Sequence, residues 1–133
     1  MDWKIVLVGP SQGQLEFSYD GLMSAIPSVV HYPSGDEALL NLSEDSPDVL
    51  VIDMDSSKVD ASRLCKTIKA NEKFADLPIV LISGGTICDR SLYFQGVDFI
   101  KKPFNTTELL AKLNVHITLR KMCSKLKPYL KGA

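Results

Sequence analysis

Three stretches of this chain are apolar without a break: Ile5-Val6-Leu7-Val8, Val49-Leu50-Val51-Ile52 and Ile79-Val80-Leu81-Ile82. Successive side chains of a strand point to opposite faces, so a strand with one wet face alternates apolar and polar residues. A β-branched run that does not alternate is buried on both faces. Parallel sheets covered by helices on each side produce such strands. Strands are therefore expected over 4–8, 48–52 and 78–82, with two weaker ones at 29–32 and 97–100.

The segments between them carry helix starts. Ser11-Gln12-Gly13-Gln14, Ser34-Gly35-Asp36-Glu37 and Asn105-Thr106-Thr107-Glu108 each place a capping side chain three residues before an amide or carboxylate. Leu15, Tyr19, Leu22 and Ile26 follow the first at helical spacing, and Leu109, Leu110, Leu113 and Ile117 follow the third. Asp60 to Asn71 reads as a helix with Leu64, Cys65 and Ile68 inward. Thr86 to Gln95 lacks a clean stripe, and a short fourth helix is expected there. Strands alternating with helices make a (βα)5 chain. Right-handed crossovers wind it into a doubly wound parallel sheet of the flavodoxin-like α/β class, with strand order 2-1-3-4-5.

At 133 residues the chain makes one domain with a proper core. Its formal charge of -1 gives no reason to expect direct nucleic-acid or membrane-surface binding. Arg120, Lys121, Lys125, Lys127 and Lys131 cluster late and read as a solvated helix face. Cys65, Cys88 and Cys123 are far apart and contain no CxxC pair, so neither a disulfide framework nor a zinc site is expected. With no signal-like start and no apolar stretch near 20 residues, a cytoplasmic location is the default expectation. His31 and His116 have no evident metal partner and read as structural or exposed.

Chemistry concentrates at strand ends. Asp53, Ser83 and Lys102 each close a separate strand, so a carboxylate, a hydroxyl and an ammonium converge on the carboxyl edge of the sheet. Open α/β sheets place their ligands at that edge, and these groups suit a phosphoryl group. The first strand ends instead in Gly9-Pro10, neither of which carries a charge. Ser83-Gly84-Gly85 is no phosphate-cradling loop of the GxxxxGK type. No nucleophile–base–acid set supports hydrolysis, so the chain is not expected to be an enzyme.

The segments Pro47-Asp48-Val49-Leu50-Val51-Ile52-Asp53, Cys65-Lys66-Thr67-Ile68-Lys69, Leu77-Pro78-Ile79-Val80-Leu81-Ile82-Ser83 and Gly96-Val97-Asp98-Phe99-Ile100-Lys101-Lys102-Pro103-Phe104 together resemble a bacterial response-regulator receiver domain. Ser34 to Leu39 resembles the start of its second helix, and the likeness runs over about 4–120. The resemblance implies that Asp53 is the phosphoacceptor, that Ser83 binds the phosphoryl oxygens, and that Lys102 pairs with both. It implies a cis bond before Pro103 and an aromatic switch residue at Phe99. It also implies a sensor histidine kinase or phosphotransfer partner, an output domain in cis if the chain is a fragment, and a homodimer through the 86–120 face. Residues 1–122 would be the receiver and 123–133 an extension or the start of a linker.

The family holds Mg²⁺ with an acidic pair at the end of strand one, where this chain has Gly9 and Pro10. Asp53, with the Asp55 backbone carbonyl, is left as the metal ligand set. Each unit charge at about 4 Å is worth on the order of 2 to 8 kcal/mol to a divalent ion at an effective dielectric near 20. Mg²⁺ binding is therefore doubtful unless Asp55 or Asp89 compensates. The alternative is a phosphorylation-independent pseudo-receiver for docking or dimerisation. A flavodoxin-shaped module for a phosphate-bearing ligand is disfavoured, because the loop 9–13 lacks a run of hydroxyls.

Overall fold

The computed structural model describes residues 2–10, 12–56, 59–85 and 97–130, with side chains for all of these but 12–18 and 130. Strands β1 (Ile5–Val8), β2 (Val29–Tyr32), β3 (Val49–Asp53), β4 (Ile79–Ser83) and β5 (Val97–Lys101) form one sheet in the order β2-β1-β3-β4-β5. Every pairing is parallel. The described helices are α1 (Gln12–Ala25), α2 (Gly35–Asp45), α3 (Ala61–Ala70) and α4 (Thr106–Leu130). The Ser11 cap and the helix expected over Thr86 to Gln95 lie outside the described residues.

The strand parity divides the core in two. Val6, Val8, Leu50, Ile52, Ile79 and Leu81 face α2 and α3. Ile5, Leu7, Val49, Val51, Val80 and Ile82 face α1 and α4, where Tyr19, Leu22, Leu109, Leu113 and Ile117 meet them. All residues of β1, β3 and β4 are buried, as their unbroken apolar runs require. The outer strands β2 and β5 are only partly buried.

Capping matches the sequence pattern. Ser34 accepts from the Glu37 N–H at 3.3 Å, and Asn105 accepts from the Glu108 N–H at 2.7 Å. Asp60 caps α3 by accepting from the Arg63 N–H. Leu64, Cys65 and Ile68 point inward from α3 as expected, and burial pushes the Cys65 thiol up to about 11. Helix α1 lies close against the start of α4. A Cβ at Gly21 would sit 2.0 Å from the Thr106 hydroxyl oxygen, so only glycine permits this approach.

Helix α4 runs without a break through residues 122 and 123 to Leu130. Val115, Leu119, Met122, Leu126 and Tyr129 are exposed along it. No described helix is long and apolar enough to cross a membrane.

Candidate functional site

The carboxyl edge of the sheet brings the three expected residues together. Asp53 has the parity of Val49 and Val51, which places it on the α1/α4 side of β3. It is completely buried. The Lys102 ammonium lies 2.8 Å from Asp53 Oδ2 and 3.1 Å from Asp55 Oδ2. Lys102 is set there by its backbone, whose N–H donates to the Ser83 carbonyl at 2.8 Å; the bond to Pro103 is cis, as the resemblance implied. Ser83 does not touch Asp53 through any bond described. Its hydroxyl donates to Asp55 Oδ1 at 3.1 Å and accepts from the Gly85 N–H.

Asp55 contributes more than the backbone carbonyl expected of it. Its carboxylate accepts from Ser83 Oγ, from the Gly84 N–H at 2.9 Å and from Lys102. Partial burial works to raise its pKa, but the Gly84 and Lys102 hydrogen bonds outweigh this and hold it below the usual carboxylate range. Lys102 shows the mirror effect. Burial opposes its charge, yet Asp53 and Asp55 hold its pKa above the ordinary lysine value.

One member of the site was not anticipated. The Tyr19 phenol of α1 donates to Asp53 Oδ2 at 2.7 Å. Burial, then the Asp53 charge, raises the Tyr19 pKa far above its usual value, so the phenol stays protonated and acts as a donor. The sequence did contain the signal. Tyr19 sits in the core stripe of α1, and a buried tyrosine needs a partner for its hydroxyl.

Gly9 and Pro10 close the end of β1. Gly9 donates its N–H to the Tyr32 carbonyl at 2.8 Å, and His31 Nε2 bonds the Pro10 carbonyl at 2.8 Å. Gly9 has φ +63, and a Cβ there would lie 2.9 Å from Ser56 Cβ. The space next to the β3 loop is therefore filled. Mg²⁺ requires near-octahedral oxygen donors, usually with carboxylates free to bind it. The donors present do not fit: the Asp53 and Asp55 carboxylates are bridged by an ammonium, and Gly9-Pro10 offers no side-chain oxygen. Asp89 lies outside the described residues.

Phe99 is partly buried on β5 and packs against the α2/α3 core, opposite Leu81 in register. Farther along the edge strand, Asp98 accepts from His116 and Lys112 of α4.

The profile of the response regulator receiver domain family matches residues 13–114. This chain belongs to that family. It is similar to a probable transcriptional regulator, ycf27, of Pyropia yezoensis, with 32% identity over 88 residues, 64% of this chain and 35% of that protein. It is also similar to the phosphate regulon transcriptional regulatory protein PhoB of Rhizobium meliloti, with 33% identity over 82 residues, 59% of this chain and 36% of that protein. The receiver spans about a third of the length of these curated relatives. In fold it is similar to a response regulator from Desulfuromonas acetoxidans, with TM-score 0.71 and 24% identity over 88% of this chain and 98% of that one. It is a receiver domain of two-component response regulators, a signal module with the five-stranded 2-1-3-4-5 sheet.

Proposed function

We propose that this receiver accepts a phosphoryl group on Asp53 from a sensor histidine kinase or phosphotransfer protein in the cytoplasm, and passes the change to an output domain or partner. The observation that carries the reading is the Lys102 ammonium 2.8 Å from the buried Asp53 carboxylate. In the transfer, a carboxylate oxygen of Asp53 attacks phosphorus, the P–N bond of the donor phosphohistidine breaks, and its imidazole keeps the electron pair. Lys102 neutralises charge as it shifts onto the phosphoryl oxygens. Ser83 turns its hydroxyl from Asp55 to a phosphoryl oxygen, and Phe99 changes packing with it.

No step is assigned to Mg²⁺, because the donor set at Gly9-Pro10 does not suit it. Receivers have no further enzymatic role here beyond forming and losing the Asp53 phosphate. Residues 1–122 form the receiver proper, and 123–133 an extension of it or the start of a linker. A similar Synechocystis regulator, RpaA, is a DNA-binding protein; in this protein such binding would belong to an output domain and not to this segment. A second copy is the proposed partner of the 86–120 face, to which the exposed Val115 and Leu119 belong.

Incubation with ³²P-labelled acetyl phosphate or with a phosphorylated kinase tests the reading. Acid-stable-pH chromatography should show one labelled aspartyl phosphate in the native chain and none in Asp53→Asn. Equal labelling of both removes Asp53 as acceptor, and labelling of neither under any donor and divalent ion leaves the phosphorylation-independent docking module.

A further inference from the structure

The Asp53 carboxylate has about four lone-pair sites. Oδ2 accepts from Tyr19 at 2.7 Å and Lys102 at 2.8 Å, and Oδ1 accepts from the Asp55 N–H at 2.9 Å. Lys102 and the Asp55 N–H come from the sheet edge itself. The phenol comes from α1, across the layer boundary, and is fully buried like its acceptor. Its ring lies 5.6 Å from the Phe104 ring at 43°. Phe104 is two residues beyond Lys102 and one before the α4 cap. Tyr19 thus contacts the acceptor and the segment that carries the acceptor's counter-charge.

Simple satisfaction of a core hydroxyl would explain the bond but not its place. The phenol binds the oxygen that Lys102 already holds, and saturates it. A nucleophilic oxygen needs an open lone pair and a path for the donor: Oδ2 has no open pair, Oδ1 keeps one, and the carboxylate as a whole has no exposed surface.

We propose that Tyr19 gates Asp53: its phenol occupies Oδ2 of a carboxylate that has no exposed surface, and a phosphoryl group is accepted only after Tyr19 and Phe104 move aside. Tyr19 is a positioning residue and does not touch phosphorus. The gate rests on the reading of Asp53 as acceptor, but sealing can be measured without phosphorylation.

The full chain is treated with a water-soluble carbodiimide and glycinamide, and coupling at Asp53 is read by peptide mass spectrometry. The exposed Asp36 and Glu37 serve as internal references. Tyr19→Phe keeps the ring and removes the donor, and should raise the Asp53 coupling rate at least tenfold. Phe104→Leu, at a partly exposed position, removes the backstop of the ring and should raise it at least threefold. Melting by circular dichroism shows which variants are native. A loss of packing alone would raise coupling only in proportion to unfolding, so the rates are compared at temperatures well below both transitions. A rise under threefold in every native variant overturns the gate. If coupling rises while acetyl phosphate labels Asp53 in no variant, the gate stands and the acceptor reading falls. If both rise together, both stand.

Discussion

Strands β1 and β3 lie side by side, with Val8 opposite Ile52, yet their ends have opposite character. β3 runs on into Asp53, Met54 and Asp55 and delivers two carboxylates to the edge. β1 runs into Gly9 and Pro10, whose backbone is tied to β2 by the Tyr32 carbonyl and His31. The missing acids are thus not merely two changed side chains. Gly9 has a left-handed backbone, and a Cβ there would lie 2.9 Å from Ser56 Cβ, so the position does not accept an acidic side chain without a shift. On the β3 side, an ammonium neutralises the carboxylates and a neutral phenol donates a hydrogen bond to one of them. The charge balance of such an edge is set jointly by the ends of β3, β4 and β5, through Asp53, Asp55, the Gly84 N–H and Lys102.

The largest test of this difference is Lys102→Ala. It leaves buried Asp53 beside Asp55 with no cation, and should lower stability by about 3 kcal/mol in urea denaturation. A native-like midpoint would mean that the ammonium is not what balances the β3 end. Next is Gly9→Asp, which returns one acid to β1. A positive φ and a 2.9 Å Cβ contact oppose it. A loss of about 2 kcal/mol is expected, with no saturable Mn²⁺ signal by electron paramagnetic resonance. A stable variant that binds Mn²⁺ would show the loop to be open after all. Ser83→Ala should cost about 1 kcal/mol, because Asp55 keeps the Gly84 and Lys102 bonds.

The smallest effect concerns a carboxylate away from both loops. Partial burial works against the charge of Asp98, but bonds from His116, the Phe99 N–H and Lys112 hold its pKa below the usual value. A depressed folded pKa gives stability that is complete above the unfolded value near 3.9 and is lost as pH falls through the folded one. The melting temperature of the native chain should exceed that of Asp98→Asn above pH 4. The gap should close as pH approaches 2, and stay within about 1 kcal/mol throughout because the pair is a third exposed. A gap that widened on acidification would reverse the sign of the argument.

Most of the architecture could be read from local chemistry. Unbroken apolar runs located β1, β3 and β4 to within one residue, because burial on both faces leaves no room for polar alternation. Ser34 and Asn105 announced α2 and α4, since a cap is a local event. The trio of Asp53, Ser83 and Lys102 was legible from strand ends alone, although Ser83 reaches the acceptor's neighbour Asp55 and not the acceptor. Tyr19 was read as core only. Its hydroxyl finds Asp53 because residue 53 shares the parity of Val51, and that parity decides which helix layer it faces. The lack of room at the end of β1 depends on a left-handed glycine whose Cβ would meet Ser56, which no spacing along the chain encodes.

Only Pro103, Phe104 and Asn105 separate Lys102 from the first residue of α4. A helix of 25 residues is about 37 Å long and stiff. Pivoted at its base, a tilt of ten degrees would sweep its tip through about 6 Å. An ångström-scale adjustment of one amine, if it tilted the helix, would then arrive at Leu130 magnified severalfold, as at the tip of a pointer whose short arm rests on the acidic edge.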